Sequence, residues 1–481
     1  MQRTFLSNLF LLLIINLLVK PIWVLIIDVK VQNTLGPETY GNFFSLLNFA
    51  FLFSVILDFG LNNFNNRRLA KDPTLVSEIL PHTAMIKLLL GVLFFCVIYL
   101  SSFIAGYSPE EIKLLGAITV MLILQSVLVF LRTNLSGIQW YKADVLVSAL
   151  DKTLMIIIVG SMVFGGVLNC EFSVYHFILG QSLAYFLASI VVITLLIIRV
   201  RKFSFSFTKE DVWNTVKSSL PFAVLAFLML IYFKVDAVMI ERMLPDGNIQ
   251  AGYYAQAYKL LDASVMFALL FSTLLLPMFS NMISKNESVQ ELVKLSSKLL
   301  LIPISIGVIM LCSIGGDLLP IMFTSGSEHS SLIFPFLIIT LLPLGASYIF
   351  GTLITAQGDL RFLNKISLLA IGVNVVLNFL LIPIHGIWGA AVATLATQSF
   401  VSIIQWRHAV SKFNLIYSIS HYVKIILFIL VLIGLAVILE LANLKWEWKP
   451  IIILASGIIL SIILKLVRAS DFKELKNYQR S

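Results

Sequence analysis

Two lysines, Lys20 and Lys234, lie inside long apolar segments of the sequence. A charge near the centre of a membrane span costs about 2.5–3.5 kcal/mol on insertion scales, so it usually has a partner or a function. Lys20 directly precedes Pro21, and a proline loosens a helix and frees a backbone carbonyl. Asn16 lies one helical turn before Lys20 and therefore on the same face. Two ammonium groups within spans predict a site for an anionic ligand.

Two other roles are open for these lysines. In the first, Lys20 forms a structural ion pair with Asp28. Lys234 then pairs with Glu241 or with Asp236. Glu241 lies near the same helix face as Lys234, whereas Asp236 is about 200° around the helix and is more typical of a structural contact. In the second, both lysines extend their ammonium groups toward the outer membrane interface.

Three further charges lie near the predicted inner ends of spans. Lys87 and Arg132 are candidate entry-side cations for an anionic head group, although cations that extend to the cytoplasmic interface would show the same pattern. Asp58 precedes an asparagine-rich segment. It is interpreted as a gate residue or as a structural contact of Arg67 or Arg68.

The elements that position these residues are membrane helices. The chain has 481 residues, of which 59% are hydrophobic and only 12% are charged, about half the usual charged fraction of a soluble domain. Because a helix of about 20 residues crosses the hydrocarbon core, the sequence predicts an all-α integral membrane protein with about 14 spans. The predicted spans are 9–29, 41–61, 81–102, 112–132, 146–166, 176–198, 218–240, 258–281, 297–316, 331–354, 362–382, 387–405, 421–441 and 449–468.

Basic residues fix the predicted orientation. With a cytoplasmic N-terminus, alternate loops collect most of the lysines and arginines, so both termini are predicted to be cytoplasmic. This asymmetry accounts for the net charge of +9 without a nucleic-acid partner. The residues assigned to those loops include Arg67, Arg68, Lys142, Lys152, Arg199, Lys294 and Lys412.

Motifs for other chemistry are absent from the sequence. The six histidines are scattered, the three cysteines are far apart, and there is no phosphate-binding G-x-x-x-x-G-K-[ST] loop. We therefore expect no metal site, no cofactor and no enzymatic step. Segment 199–217 is predicted to be a cytoplasmic linker that leads into a short interfacial helix. It divides spans 1–6 (1–198) from spans 7–12 (218–405), and 406–481 holds two last spans and a cytoplasmic tail.

Several short motifs recur in a characteristic order along the chain. Together they resemble bacterial oligosaccharide flippases of the polysaccharide transporter family, within the MOP exporter superfamily. The motifs are Leu35-Gly-Pro-x-x-Tyr-Gly41, Asp58-Phe-Gly-Leu61, Asp236-Ala-Val-Met-Ile240, Ala251-Gly-Tyr-Tyr254, Ala356-Gln-Gly-Asp359 and Ile382-Pro-Ile-His-Gly386.

This resemblance implies two six-helix lobes around a central cavity, followed by two C-terminal helices. It also implies transport of an oligosaccharide repeat unit linked to undecaprenyl pyrophosphate across the bacterial inner membrane, in O-antigen or capsule synthesis. The implied partners are membrane lipids, a polysaccharide polymerase and a chain-length regulator. Lys20 and Lys234 then stand at corresponding places in the two lobes.

Two other functions remain open from the sequence. A cation-coupled multidrug exporter of the same superfamily would need a buried carboxylate in span 1 or 7 and no lysine there. A membrane polysaccharide polymerase or ligase would need a large outer loop with clustered arginine or histidine, which this chain lacks.

Overall fold

A computed structural model describes residues 19–165, 170–200, 209–416, 419–442 and 444–467. Within these ranges every regular element is a helix, so the all-α membrane fold is confirmed. Ten helices in this part of the chain are long and apolar enough to cross a membrane. The count of fourteen spans stays a prediction, and Asn16 lies outside the described residues.

The first helical stretch contains a π-helical segment, Trp23–Asp28, which continues directly into the first named helix. The helices are α1 (Val29–Leu52), α2 (Val55–Asp58), α3 (Leu61–Lys71), α4 (Val76–Ile104), α5 (Pro109–Gly137), α6 (Tyr141–Phe164), α7 (Val174–Val200), α8 (Lys209–Met243), α9 (Gly247–Ser284), α10 (Gln290–Met322), α11 (Ser327–Ile339), α12 (Leu341–Ala356), α13 (Leu360–Phe413), α14 (Ile419–Leu441) and α15 (Trp448–Ile463).

The chain reverses direction inside α1, at Gly36. This glycine has φ 75° and ψ 165°, a conformation that a side chain would make unfavourable, and Pro37 then starts the next helical segment. The Tyr40 hydroxyl donates a hydrogen bond to Asp28 Oδ1 at 2.9 Å. Twelve residues of straight helix would separate those two residues by about 18 Å, beyond the reach of their side chains. The contact therefore requires a sharp bend, which separates the first two predicted spans.

Helix α13 is also a hairpin rather than one rod. It has 54 residues, which would extend about 80 Å if straight, yet Lys412 near its end bonds Asp359 before its start at 2.6 Å. The reversal occurs at Gly386, whose φ of 58° and ψ of −139° favour glycine. The two arms match the predicted spans 362–382 and 387–405.

The chain divides into two compact units, Met1–Gly252 and Tyr253–Ser481. In the first unit α5 is central and contacts α1, α3, α4, α6 and α7. In the second unit α10 is central and contacts α11, α12, α14 and α15.

The unit boundary falls beyond the linker predicted at 199–217. Helix α8, predicted to open the second lobe, belongs to the first unit and packs along α1. Residues 201–208 lie outside the described ranges. The short interfacial helix predicted before span 218–240 is instead continuous with that span within α8.

Local sequence sets the start of the central helix α5. Ser108 Oγ accepts a hydrogen bond from the Glu111 backbone N–H at 3.3 Å, and the Glu111 carboxylate accepts one from the Ser108 N–H at 2.7 Å. Pro109 occupies the first helical position, where no N–H is required. This capping box fixes the register with which α5 enters the unit and presents Arg132 near its other end.

Candidate functional site

A cluster of charges lies among the first helical stretch, α5, α6 and α7. Its centre is Lys152, which the sequence interpretation assigned to a cytoplasmic loop. The structure corrects this assignment, because Lys152 lies within α6 and within the apolar segment Leu146–Phe164. Its ammonium is 3.6 Å from Asp151 Oδ2, and the Lys152 and Asp151 side chains are only 20% and 14% exposed.

Aromatic residues hold the Lys152 ammonium in place. The nitrogen lies 5.7 Å from the ring centre of Trp23, within range of a cation–π interaction. It also lies 5.5 Å from the ring centre of Tyr185 and 3.4 Å from Met155 Sδ. Trp23 belongs to the π-helical segment that follows Pro21, so the irregularity predicted at Pro21 is present and brings the Trp23 ring to Lys152.

Lys20 and Arg132 join this cluster. The charged side chains that act on the Lys20 ammonium are, in decreasing order, Asp151, Lys152 and Arg132. Arg132 in turn bonds Asp144 Oδ1 through Nε at 3.2 Å. The cluster therefore holds three cations and two carboxylates within helices that are otherwise apolar. We call Lys20, Arg132, Asp144, Asp151 and Lys152 the five-charge cluster.

Lys20 and Asp28, one of the ion pairs that the sequence left open, have other charged and polar neighbours. The carboxylate acting most strongly on Lys20 is Asp151. Asp28 is buried and accepts hydrogen bonds from Tyr40 and from Gln32 Nε2, the latter at 3.0 Å. Asp28 thus ties the end of the π-helical segment to the segment after Gly36, which makes it a structural carboxylate.

A second charged pair joins Asp58 to Lys87. Lys87 Nζ lies 3.5 Å from Asp58 Oδ1, with 3% of the Lys87 side chain exposed and 33% of Asp58. The sequence predicted Arg67 or Arg68 as the partner of Asp58. It also left open that Lys87 extends to the interface, whereas the side chain is buried beside Phe130 at 5.9 Å.

A break in the second predicted span exposes Asp58. Helix α2 ends at Asp58, and Phe59 and Gly60 both have positive φ, at 46° and 79°. The Asp58 carboxylate accepts the backbone N–H of Asn62 at 3.3 Å and so bridges the break. Interrupted helices at membrane depth are found where the backbone is buried in protein or faces a cavity.

Lys234 and Glu241, one of the pairs that the sequence left open, have different neighbours in the structure. Glu241 Oε2 is 3.0 Å from Nε of Arg242, whose guanidinium lies 3.6 Å from the ring centre of Tyr107. Lys234 Nζ lies 5.8 Å from the ring centre of Phe51, at the end of α1. Asp236 is buried on the same helix as Lys234.

Lys20 and Lys234 thus belong to one compact unit and to different local environments. The structure gathers Lys20 and Arg132 in one cluster and joins Lys87 to Asp58 in another. Asp144, Asp151 and Lys152 are the members that sequence reasoning missed. The available signal was the predicted span 146–166, which already contained Asp151 and Lys152 and begins two residues after Asp144.

The motif glycines of the first unit permit a close approach of two helices. A Cβ atom added at Gly41 would collide with the Asn248 carbonyl, and one added at Gly252 would collide with the Pro37 carbonyl. The Leu35–Gly41 and Ala251–Tyr254 motifs therefore contain contact residues of α1 and α9, as small residues commonly do between membrane helices.

The motif residue Asp359 closes the α13 hairpin. Its carboxylate caps the helix at the Phe362 N–H and bonds Lys412 at 2.6 Å and His408 Nε2 at 3.2 Å. The hydrogen bond from Lys412 is the main cause that holds the pKa of Asp359 below its usual value. This charge cluster lies at the predicted cytoplasmic ends of two spans.

The second unit contains an apolar cavity of about 840 Å³ beside α10 and α14. Its wall includes Val308, Ile309, Ile429, Ile433 and Val437. Two carboxylates at one end, Asp317 and Glu440, are bridged by the buried Lys449, at 3.5 and 2.5 Å respectively. This cavity suits a hydrocarbon chain rather than a sugar.

Comparisons with known proteins agree with this architecture. Residues 5–283 match the family model described as polysaccharide biosynthesis protein. "Probable lipid II flippase MurJ" of Helicobacter pylori is 27% identical over 218 residues, which cover 43% of this chain and 46% of that protein. "Capsular polysaccharide biosynthesis protein CapF" of Staphylococcus aureus is 28% identical over 193 residues, covering 40% and 48%. The chain spans about half the length of the curated relatives it matches.

Solved structures show the same fold over nearly the whole chain. Lipid II flippase MurJ in an inward closed conformation has a TM-score of 0.71 at 16% identity, covering 95% of this chain and 98% of that one. An inward-facing multidrug resistance MATE family transporter of the MOP superfamily has a TM-score of 0.63 at 14% identity, covering 82% and 94%.

The helical fold and the charges inside its spans define a multi-span membrane protein with the architecture of the MOP transporters. The family match extends over more than half of the sequence, so the chain belongs to the polysaccharide biosynthesis protein family.

Proposed function

We propose that the protein is a flippase that moves undecaprenyl-pyrophosphate-linked oligosaccharide units, of the O-antigen or capsule type, across the bacterial cytoplasmic membrane. Family membership and the MOP fold support transport of a lipid-linked precursor. The five-charge cluster is the observation that supports an anionic substrate, because three cations gathered in apolar helices suit an anionic head group.

The physical task of such a protein is to shield a polar head group. A sugar pyrophosphate cannot cross hydrocarbon bare, since burying unpaired charge and hydroxyl groups is strongly unfavourable. Lys20, Arg132 and Lys152 offer compensating charge, while the isoprenoid tail stays in lipid. Transport then requires alternating access and no covalent step, so we propose no enzymatic activity and no cofactor.

The proposed setting follows from the charge asymmetry of the loops. The positive-inside pattern supports an inner-membrane protein with both termini in the cytoplasm. Delivered units would then be used at the outer leaflet by a polysaccharide polymerase under a chain-length regulator. These are the partners we propose.

Deletion of the gene in its native host tests the proposal. We expect undecaprenyl-linked units to accumulate on the cytoplasmic leaflet and surface glycan to be lost. Plasmid copies carrying Lys20→Ala or Lys234→Ala should restore less glycan than Lys→Arg versions of the same sites. Lys294→Gln, in an exposed pair with Glu291, is the matched control and should restore it fully. Normal surface glycan in the deletion strain would refute the proposal, and drug sensitivity with normal glycan would favour multidrug export.

A further inference from the structure

Asp151 is held more weakly than Asp144 and Asp28, the carboxylates nearest to it along the first helical stretches and α6. Its Oδ2 atom is 3.6 Å from Lys152, beyond ordinary hydrogen-bond length. Its Oδ1 atom is buried and has no hydrogen-bond partner among the described residues. By contrast, Asp144 bonds Arg132 at 3.2 Å, and Asp28 accepts hydrogen bonds from two side chains. A buried carboxylate kept only for structure normally uses both oxygens.

The position of Asp151 explains why a weakly held carboxylate is present. Its charge acts on Lys20, and its Oδ2 atom lies 3.6 Å from the Lys152 ammonium. The carboxylate is therefore exposed to the field of two ammonium groups that come from separate helical stretches. Without a counter-ion, two cations inside apolar helices would repel each other and lose solvation.

We propose that Asp151 is a built-in substitute for the anionic head group, occupying the Lys20–Lys152 pair when the protein is empty. This inference rests on the proposed function and assigns the pyrophosphate of the carrier to that pair of lysines. The arriving pyrophosphate replaces the carboxylate between the two ammonium groups, and Asp151 turns its charge away. When the head group leaves, the Asp151 carboxylate returns and neutralises the two lysines. Asp151 thereby favours release and prevents two cations from facing each other without a counter-ion.

The surrounding residues fit this exchange. Trp23 and Tyr185 contact the Lys152 ammonium independently of Asp151, through cation–π interactions at 5.7 and 5.5 Å. The lysine therefore keeps its place while the carboxylate moves. Asp144 remains bonded to Arg132, so the exchange changes the partner of only one carboxylate.

Binding of farnesyl pyrophosphate to the purified full-length protein in nanodiscs tests the inference. Asp151→Asn removes the internal competitor and should tighten binding about tenfold, within the range found for close charge pairs. Lys152→Gln should weaken binding about tenfold, and Lys152→Arg should retain most of it. The double variant Asp151→Asn with Lys152→Gln should bind close to the wild-type level, because it lacks both the competitor and one cation.

Controls separate the head group from the tail and from general charge effects. Farnesol, which shares only the tail, should bind all variants equally. Glu291→Gln and Lys294→Gln alter an exposed acid–base pair in the second unit and should bind farnesyl pyrophosphate like the wild type. Thermal unfolding of each variant checks that the fold is intact, and the tighter binding expected of Asp151→Asn cannot arise from a damaged fold.

The outcomes distinguish this inference from the proposed function. Wild-type binding of farnesyl pyrophosphate with unchanged or weaker binding in Asp151→Asn would overturn the role of Asp151 and leave the flippase proposal standing. Equal binding by wild type and Lys152→Gln would overturn the assignment of the head group to this pair. Absence of any wild-type binding would count against the proposed carrier itself.

Discussion

The pair formed by Asp58 and Lys87 offers a sharp test of charge burial in the first unit. The two groups are unequally buried, with 3% of the Lys87 side chain and 33% of Asp58 exposed. Substituting Asp58 should therefore have a different consequence from substituting Lys87. Asp58→Asn leaves an ammonium buried without a counter-ion, whereas Lys87→Met leaves a carboxylate that water can reach.

The distance between the two charged groups sets the size of the expected change in stability. At 3.5 Å and an effective dielectric constant of about 20, the attraction is about 5 kcal/mol, and water at the exposed side of Asp58 lowers it. We expect Asp58→Asn to lower the free energy of unfolding by about 3 kcal/mol, as for a broken buried pair. Lys87→Met keeps the volume of the side chain and should cost about 1 kcal/mol. The double variant should be as stable as Lys87→Met, which gives a coupling energy of about 3 kcal/mol.

Equilibrium unfolding in mixed micelles with rising dodecyl sulfate, followed by tryptophan fluorescence, measures these differences. Glu291→Gln is the matched control, because its exposed pair with Lys294 should contribute only about 0–1 kcal/mol. A larger cost for Lys87→Met than for Asp58→Asn would show that the lysine is not the buried partner. Additive costs in the double variant would show that the two charges do not act on each other.

Three further predictions concern the scaffold and its orientation. Gly41→Ala should lower the thermal unfolding temperature and glycan restoration, because its Cβ meets backbone, whereas Gly116→Ala has open space around it and should alter neither. Asp359→Asn should lower the free energy of unfolding, with its full effect at pH 7. The difference from wild type should vanish as the pH falls through the lowered pKa of Asp359, and unfolding measured across a pH series checks this. Cys170 lies in a predicted outer loop and Ser288 in a predicted cytoplasmic loop. In spheroplasts, a membrane-impermeant maleimide should therefore label the exposed Cys170, while a cysteine introduced by Ser288→Cys should react only after lysis. The reverse labelling pattern would invert the proposed topology.

Local chemistry made several features of the fold predictable. Hydropathy located the helices, because apolar length is dictated by the membrane. Glycine next to proline at Gly36, and glycine near Pro383 at Gly386, mark the two reversals, since both depend only on the backbone of a few residues. Pro21 likewise marks the π-helical segment that follows it.

Partner choice could not be predicted in the same way. Asp58 finds Lys87 on another helix, and Asp359 finds Lys412 at the far end of a hairpin. Such pairs depend on how helices rotate against one another, and a charge pattern along the chain contains no information about that rotation. Lys152 was misassigned for a related reason. Counting basic residues toward cytoplasmic loops favours a loop for any lysine near a span end, although this one points into the unit.

The family motifs and the candidate substrate residues have different physical roles. Gly36, Gly41, Gly252 and Gly386 form turns or let helices approach closely, so they serve the scaffold of this chain. Of the five-charge cluster, none lies within a motif. The resemblance therefore accounts for the scaffold and leaves the ligand to residues that a scaffold does not require. Relatives with the same motifs but different charges around the position of Lys152 should accordingly differ in the head group that they carry.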